Sequence, residues 1–130
     1  MLINGATLGG HVIVEEWAVV GALCPVHQFV RIGAHSYIGG GTTITQDVLP
    51  FSMTSAARDT NAYGMNKVGL ERRGFSPDRI RRIHHAYKTL LASKMNTSQA
   101  LERLKSEPDR GEDVDMLIRF IEASERGVIK

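Results

Sequence analysis

The sequence is poor in cysteine and in aromatic residues. Its 130 residues include one cysteine, Cys24, and only 6 % are phenylalanine, tryptophan or tyrosine. A single cysteine excludes an intrachain disulfide and favours a reducing compartment, so we expect a cytoplasmic protein. No apolar run approaches the roughly 18 residues of a membrane span. Glu15 and Glu16 lie where a secretory signal peptide would be uncharged, and we expect neither a signal peptide nor a membrane span.

The net charge is only +2, but the basic residues are concentrated in the second half of the chain. Residues 67–88 carry seven basic side chains, against Glu71 and Asp78. Such a cluster attracts phosphates or an acidic partner, and it is equally typical of a solvated helix face. The basic residues are not interleaved with a set of stacking aromatics, so we do not expect a nucleic-acid partner.

Aliphatic residues recur at every sixth position in the first 50 residues. The series is Leu2, Leu8, Val14, Val20, Val26, Ile32, Ile38 and Ile44. A second series is small or β-branched: Ala6, Val12, Ala18, Cys24, Val30, Ser36, Thr42 and Val48. Six residues suit one short strand and one tight corner, and three such sides close the coil of a parallel β-helix. We expect about two and a half coils, in which glycines after the aliphatics adopt backbone angles that other residues avoid.

The second half follows different patterns. The six-residue period ends after Val48, and residues 51–75 are predicted as a connector, irregular to about Tyr63, whose last part contacts ligand. Residues 76–130 are predicted as a three-helix domain. Its helix starts are Ser76 followed by Pro77, the polar run 96–98, and the acidic residues Glu112, Asp113 and Asp115.

Several residues in the coils are candidates for chemistry. His11 and the pair His27-Gln28 fall at corners, where side chains point outward; they are either exposed on a solenoid wall or line a cleft where imidazole binds phosphate or moves protons. Trp17 also lies at a corner, and whether it contacts another subunit stays open. Cys24 is expected to be a packing residue. No spacing indicates a metal site, and no cofactor is expected.

Arg72 and Arg73 precede Gly74 and a predicted helix start. Paired guanidiniums at such a position suit a diphosphate, because each can form two parallel hydrogen bonds with phosphate oxygens.

Three segments together resemble one family. They are Asn4-Gly5-Ala6-Thr7-Leu8-Gly9-Gly10-His11, Val26-His27-Gln28-Phe29 and Gly69-Leu70-Glu71-Arg72-Arg73-Gly74-Phe75. In order and spacing they resemble the C-terminal half of the acyl-carrier-protein-dependent UDP-N-acetylglucosamine O-acyltransferases of lipid A biosynthesis. These belong to the hexapeptide-repeat acyltransferases, so the resemblance implies a left-handed parallel β-helix followed by an α-helical C-terminal domain.

The resemblance also implies a reaction and a site. A homotrimer would transfer a 3-hydroxyacyl chain from acyl carrier protein to the 3-hydroxyl of UDP-N-acetylglucosamine, in clefts between β-helices. The backbone amide of Gly10 would stabilise the oxyanion, and Gly40 would set the acyl-chain length. The substrate-binding residues implied are His11, His27, Gln28, Asn66, Arg72 and Arg73.

The chain departs from the family pattern at three places. The family's general-base histidine precedes the position of His11 by about one coil, and residues 1–10 contain no histidine. We therefore expect a chain that lacks the N-terminal coils and has little activity alone. The family's acidic uridine contact corresponds to Val68, and the connector around Ala57–Asp59 is one residue longer. The alternative function is a non-catalytic trimeric module that binds a UDP-sugar or acyl carrier protein.

Overall fold

The computed structural model describes residues 1–56 and 60–130. The first half contains six two-residue strands, β1 to β6: Thr7–Leu8, Ile13–Val14, Val19–Val20, Pro25–Val26, Arg31–Ile32 and Tyr37–Ile38. Each of β1, β2 and β3 pairs in parallel with the strand 18 residues further along the chain. The chain therefore winds as a three-faced parallel β-helix, and this part of the prediction is confirmed.

The aliphatic series points into the interior of the coils. Val20, Ile32, Ile38 and Ile44 are all fully buried, whereas Leu2 is 53 % exposed. The small-residue series fills the corners beside them. The thiol of Cys24 is buried there and donates a hydrogen bond to the carbonyl oxygen of Gly39 at 3.1 Å, so Cys24 is a packing residue as predicted.

The corners use glycine differently from our expectation. The left-handed backbone conformation falls on the residue just before each small one: Gly5, His11, Trp17, Leu23, Phe29, His35 and Gly41. The glycines that follow the aliphatics do not have positive φ. A Cβ at Gly21 would lie 2.5 Å from the carbonyl oxygen of Ile38, and one at Gly33 would lie 2.4 Å from the Pro50 nitrogen. These glycines are required because the backbone of the next coil passes so close.

The last coil is two residues shorter than the others. Val26 pairs with Ile44, 18 residues on, but Ile32 pairs with Val48, only 16 residues on. The placement of Val48 in the small-residue series is therefore wrong. Because the corner after Ile44 is short, Val48 takes the inward aliphatic position and is fully buried.

The connector contains a β-hairpin where the sequence predicts irregular structure. Strands β7 (Ser52–Ala56) and β8 (Thr60–Met65) are antiparallel, and β7 also continues the third face of the coil beside β6. Their small and polar residues show little of the apolar alternation that marks a strand. The predicted extra residue around Ala57–Asp59 lies outside the described residues.

Helices follow the hairpin. They are α1 (Lys67–Arg72), α2 (Pro77–Tyr87) with a π-helical turn (Lys88–Ala92), α3 (Thr97–Lys105) and α4 (Gly111–Ala123). The Ser76 hydroxyl accepts a hydrogen bond from the Arg79 amide, and Asn96 forms a capping box with Gln99, as the sequence predicts for these two starts. The sequence analysis did not predict α1. Across the described ranges, no helix combines the length and the apolar character that crossing a bilayer requires.

The apolar faces of these helices pack on the last coil. Leu49 and Phe51 belong to the same buried cluster as Leu70, Ile83 and Leu117. The C-terminal residues return to the coils, where Val128 pairs with Asp47 and Ile129 enters the interior cluster of the β-helix. The coils and the helices are thus joined at both ends of the helical segment.

Candidate functional site

Four of the predicted site residues lie together on one corner of the β-helix. This first corner joins the face formed by β1 and β4 to the face formed by β2 and β5. Gly10 and His11 lie on one coil, and His27 and Gln28 lie on the next, where the Phe29 amide donates to the Gly10 carbonyl oxygen at 3.0 Å. All four residues are exposed, as predicted for corner positions.

The His11 imidazole is held by an aromatic neighbour. It stacks on the Phe29 ring with centroids 4.9 Å apart and planes 4° apart. Both residues have left-handed backbone, with φ of 59° and 66°. The repeated corner geometry therefore places these two rings one above the other on the outside of the coil.

Gly10 leaves its surroundings open to a reacting group. A Cβ at Gly10 would meet no atom within 4 Å. Among the described residues, the Gly10 N–H donates to no protein acceptor. A free backbone N–H in open space is a geometry that can stabilise negative charge developing on an oxygen.

A second group of residues lines a groove on the second corner, between the faces of β2 and β3. The groove has a volume of about 580 Å³ and is lined in part by Trp17, His35, Asn66, Arg72 and Arg73. Helix α1 brings the last two residues there, because Asn66 starts this helix and Arg73 ends it. The predicted substrate-binding residues Asn66, Arg72 and Arg73 therefore converge.

The side chain of Asn66 is already engaged by the fold. Its Oδ1 accepts a hydrogen bond from the Gly69 amide at 3.3 Å, and its Nδ2 donates to the His35 carbonyl oxygen at 3.1 Å. Asn66 is 7 % exposed. It therefore fixes the position of α1 against the second corner, and with it the position of the two arginines.

The positive charge in the groove is not neutralised by nearby carboxylates. Among the described residues, neither Arg72 nor Arg73 forms an ion pair. Other basic residues of the same segment are paired: Lys67 with Glu71, Arg79 with Asp113 and Arg81 with Asp78. The cluster of residues 67–88 is thus partly a solvated, salt-bridged helix face, and the two arginines in the groove form a site suited to an anion.

His35 is part of the aromatic wall beneath the groove. Its ring lies 6.0 Å from that of Phe51 and makes an edge contact with Phe75 at 4.9 Å. Burial lowers the pKa of His35, and the positive charges of Arg73 and Arg79 lower it further, against the opposing effect of Glu16 and Asp113. The imidazole is therefore biased toward its neutral form.

Gly40 lies on the third corner, apart from both groups. A Cβ there would be 3.4 Å from the Ala22 carbonyl oxygen, and the residue is exposed. One copy of the chain therefore distributes the predicted site residues over three different corners. It does not assemble them into one cleft.

Sequence reasoning left the role of Trp17 open. The guanidinium carbon of Arg73 lies 3.6 Å from the centroid of the Trp17 ring. The signal that could have found this neighbourhood is the 18-residue spacing of Trp17 and His35, which places both on the same corner of successive coils. Over the described parts of the chain, no group of three or more His, Cys, Asp or Glu side chains is arranged to hold a metal ion.

Fold and site together define a parallel β-helix protein with an anion-binding groove. A sequence profile described as UDP-N-acetylglucosamine O-acyltransferase, domain 2, matches residues 47–129. The chain belongs to this family of acyltransferases. Because the profile describes the family's second domain, the resemblance to the C-terminal half is confirmed.

Similar proteins support the same assignment. An acyl-[acyl-carrier-protein]–UDP-N-acetylglucosamine O-acyltransferase of Burkholderia mallei is 40 % identical over 100 % of this chain and 51 % of its own length. The crystal structure of Francisella novicida UDP-N-acetylglucosamine acyltransferase superposes with a TM-score of 0.93 at 32 % identity, covering 98 % of this chain and 47 % of that one. The Arabidopsis enzyme gives a TM-score of 0.92 at 29 % identity, over 99 % and 48 %. The chain thus spans about half the length of the curated relatives it matches.

Proposed function

We propose that this chain supplies the nucleotide-binding part of an enzyme that transfers a 3-hydroxyacyl chain from acyl carrier protein to the 3-hydroxyl of UDP-N-acetylglucosamine, in lipid A biosynthesis in the cytoplasm. The observation that carries the proposal is the groove on the second corner, where Arg72 and Arg73 lie without an ionic partner. Two guanidiniums offer a diphosphate charge and several hydrogen-bond donors. Family membership supports the identity of the nucleotide sugar.

The first corner would supply the acyl-transfer geometry. In the reaction the sugar hydroxyl loses a proton and attacks the thioester carbonyl, and the thiolate of the carrier leaves as the ester forms. Gly10 would donate its free N–H to the oxyanion, and His11, His27 and Gln28 would contact the sugar and phosphates. Residues 1–10 contain no histidine to serve as the general base. This polypeptide alone should therefore show little turnover.

The separation of the residues over three corners supports a trimer. A left-handed β-helix that packs side by side with two copies of itself would bring the first corner of one copy against the second corner of the next. Outward-facing apolar residues are available for such packing, since Ile13 is 53 % exposed and Leu23 is 71 % exposed. Sedimentation equilibrium should then report the mass of three chains; a monomer at micromolar concentration would contradict the arrangement.

An acyl-transfer assay separates this proposal from its alternative. The 130-residue chain is incubated with 3-hydroxyacyl carrier protein and UDP-N-acetylglucosamine, and the product is followed by mass spectrometry. Robust turnover would show that the base implied by the family is not needed. Binding of the nucleotide sugar without turnover is the result we expect.

The second candidate is a non-catalytic trimeric module that binds a UDP-sugar or acyl carrier protein. A groove of about 610 Å³ between the helices favours it, because Arg81, Arg82, His85 and Arg110 offer basic groups there to an acidic carrier. Adding the missing catalytic part of a relative in trans distinguishes the two. Restored turnover supports the enzyme, and continued inactivity with intact binding supports the module.

A further inference from the structure

Trp17 is the only tryptophan of the chain and has no role in the reaction proposed above. It lies on the second corner with a φ of 60°, and it is 54 % exposed. The guanidinium carbon of Arg73 lies 3.6 Å from the centroid of its ring. This distance is that of a guanidinium stacked on the face of an aromatic ring.

Stacking of this kind leaves the hydrogen-bond donors of the arginine available. The five N–H groups of a guanidinium lie in its plane and point outward from its edges. A ring that covers one face therefore restrains the orientation of the group without using any of its donors. Among the described residues, Arg73 has no carboxylate within ion-pair distance, so these donors are free to meet a ligand in the groove.

Arg79 shows the opposite use of the same stacking. Its guanidinium carbon lies 3.8 Å from the centroid of the Phe75 ring. Its Nε and Nη2 each donate to a carboxylate oxygen of Asp113 at 2.9 Å. Arg79 therefore joins α2 to α4, whereas Arg73 is stacked in the same way but keeps its donors for another partner.

We propose that Trp17 is a positioning residue, which holds the Arg73 guanidinium with its donor edge toward the groove so that it binds the diphosphate of a nucleotide sugar. This inference rests on the proposed function. Its physical basis is that a restrained arginine loses less conformational freedom for each hydrogen bond that it forms.

Calorimetric titration with UDP-N-acetylglucosamine tests the role of the ring. Trp17→Leu should weaken binding about two- to fivefold, the loss expected for an exposed cation–π contact, and Trp17→Phe should restore part of it. In an Arg73→Ala background, Trp17→Leu should cause no further loss. Leu23→Ala, at an equivalent left-handed position on the third corner, is the matched control and should bind as the parent does. Equal affinity of Trp17→Leu and the parent, or an undiminished effect in the Arg73→Ala background, would overturn the inference.

The fluorescence of the single tryptophan tests the contact without a ligand. Arg73→Ala should shift or brighten the emission, and Arg72→Ala should not. Unchanged emission in Arg73→Ala would show that the stacking is absent and would sink this inference alone. A parent chain that fails to bind the nucleotide sugar, while its emission responds to Arg73→Ala, would refute the proposed function and with it the role of Trp17 in binding.

Discussion

At the scale of single residues, the coils depend on two kinds of backbone position. One is left-handed and is occupied mainly by bulky residues such as Leu23 and Phe29, with φ of 55° and 66°. A non-glycine residue in this conformation costs about 1–2 kcal/mol, which the hydrogen bonds and packing between coils must offset. The other is a glycine against which the backbone of the next coil packs, such as Gly21.

Gly21→Ala should destabilise the protein by about 1–3 kcal/mol, the usual cost of forcing extra atoms into a packed site. The added Cβ would lie 2.5 Å from one backbone atom and 2.6 Å from another, so the coils would have to separate. Gly10→Ala is the matched control, because its Cβ meets nothing within 4 Å. Urea unfolding measures both; similar midpoints for the two variants would argue against the close-approach explanation.

His35 should make the stability depend on pH. Its pKa in the folded protein is lowered by burial and by Arg73 and Arg79, so below about pH 6.5 the unfolded chain binds a proton more readily than the folded chain does. The free energy of unfolding should therefore fall as the pH falls from 6.5 toward the folded pKa. Replacing the imidazole in His35→Gln should flatten that decline in urea-unfolding series. An unchanged pH profile in the variant would assign the effect to other groups.

At the scale of elements, the sequence predicts those structures whose signals are local. The hexad spacing predicts the inward residues, and Ser76 and Asn96 predict the starts of α2 and α3. The hairpin β7–β8 escapes because its strands are short, polar and held by pairing with a distant coil. Helix α1 also escapes, since its cap Asn66 depends on a contact with His35 that the sequence does not display.

The C-terminal tail is joined to the coils through one buried carboxylate. The side chain of Asp47 accepts hydrogen bonds from the Arg31 amide at 2.8 Å and from the Ser124 hydroxyl at 2.6 Å, and the residue is 2 % exposed. The backbone of Asp47 also pairs with the tail, accepting from the Ile129 amide at 2.9 Å. Asp47 therefore holds the end of the helical segment against the short third coil.

Asp47→Ala should lower the free energy of unfolding by about 2 kcal/mol, because both donors lose a charged acceptor in a buried site. Asp47→Asn keeps an acceptor oxygen for the Arg31 amide and should lose less. Ser124→Ala removes one donor and leaves the carboxylate bonded to the other. Thermal unfolding of the three variants gives the order, and an Asp47→Ala variant as stable as the parent would refute the role of the carboxylate.

At the scale of the whole molecule, the site could be predicted only in parts. The residue types came from the resemblance, and the corner positions of His11 and His27 came from the hexad count. The grouping of Arg73 with Trp17 and His35 requires the fold, because residues 17 and 73 are joined only through α1 and the hairpin. The distribution of the site over three corners explains why a single chain gives separate pieces, and why we propose that neighbouring copies complete each cleft.

The central claim is that the groove on the second corner binds the nucleotide sugar. Isothermal titration of UDP-N-acetylglucosamine into the 130-residue chain tests it most directly, with the Arg72→Ala/Arg73→Ala variant beside it and circular dichroism to show that both are folded. We predict saturable binding by the parent, weakened at least about tenfold in the double variant through loss of two charge-assisted contacts. No binding by the folded parent, or equal affinity in the double variant, would contradict the account.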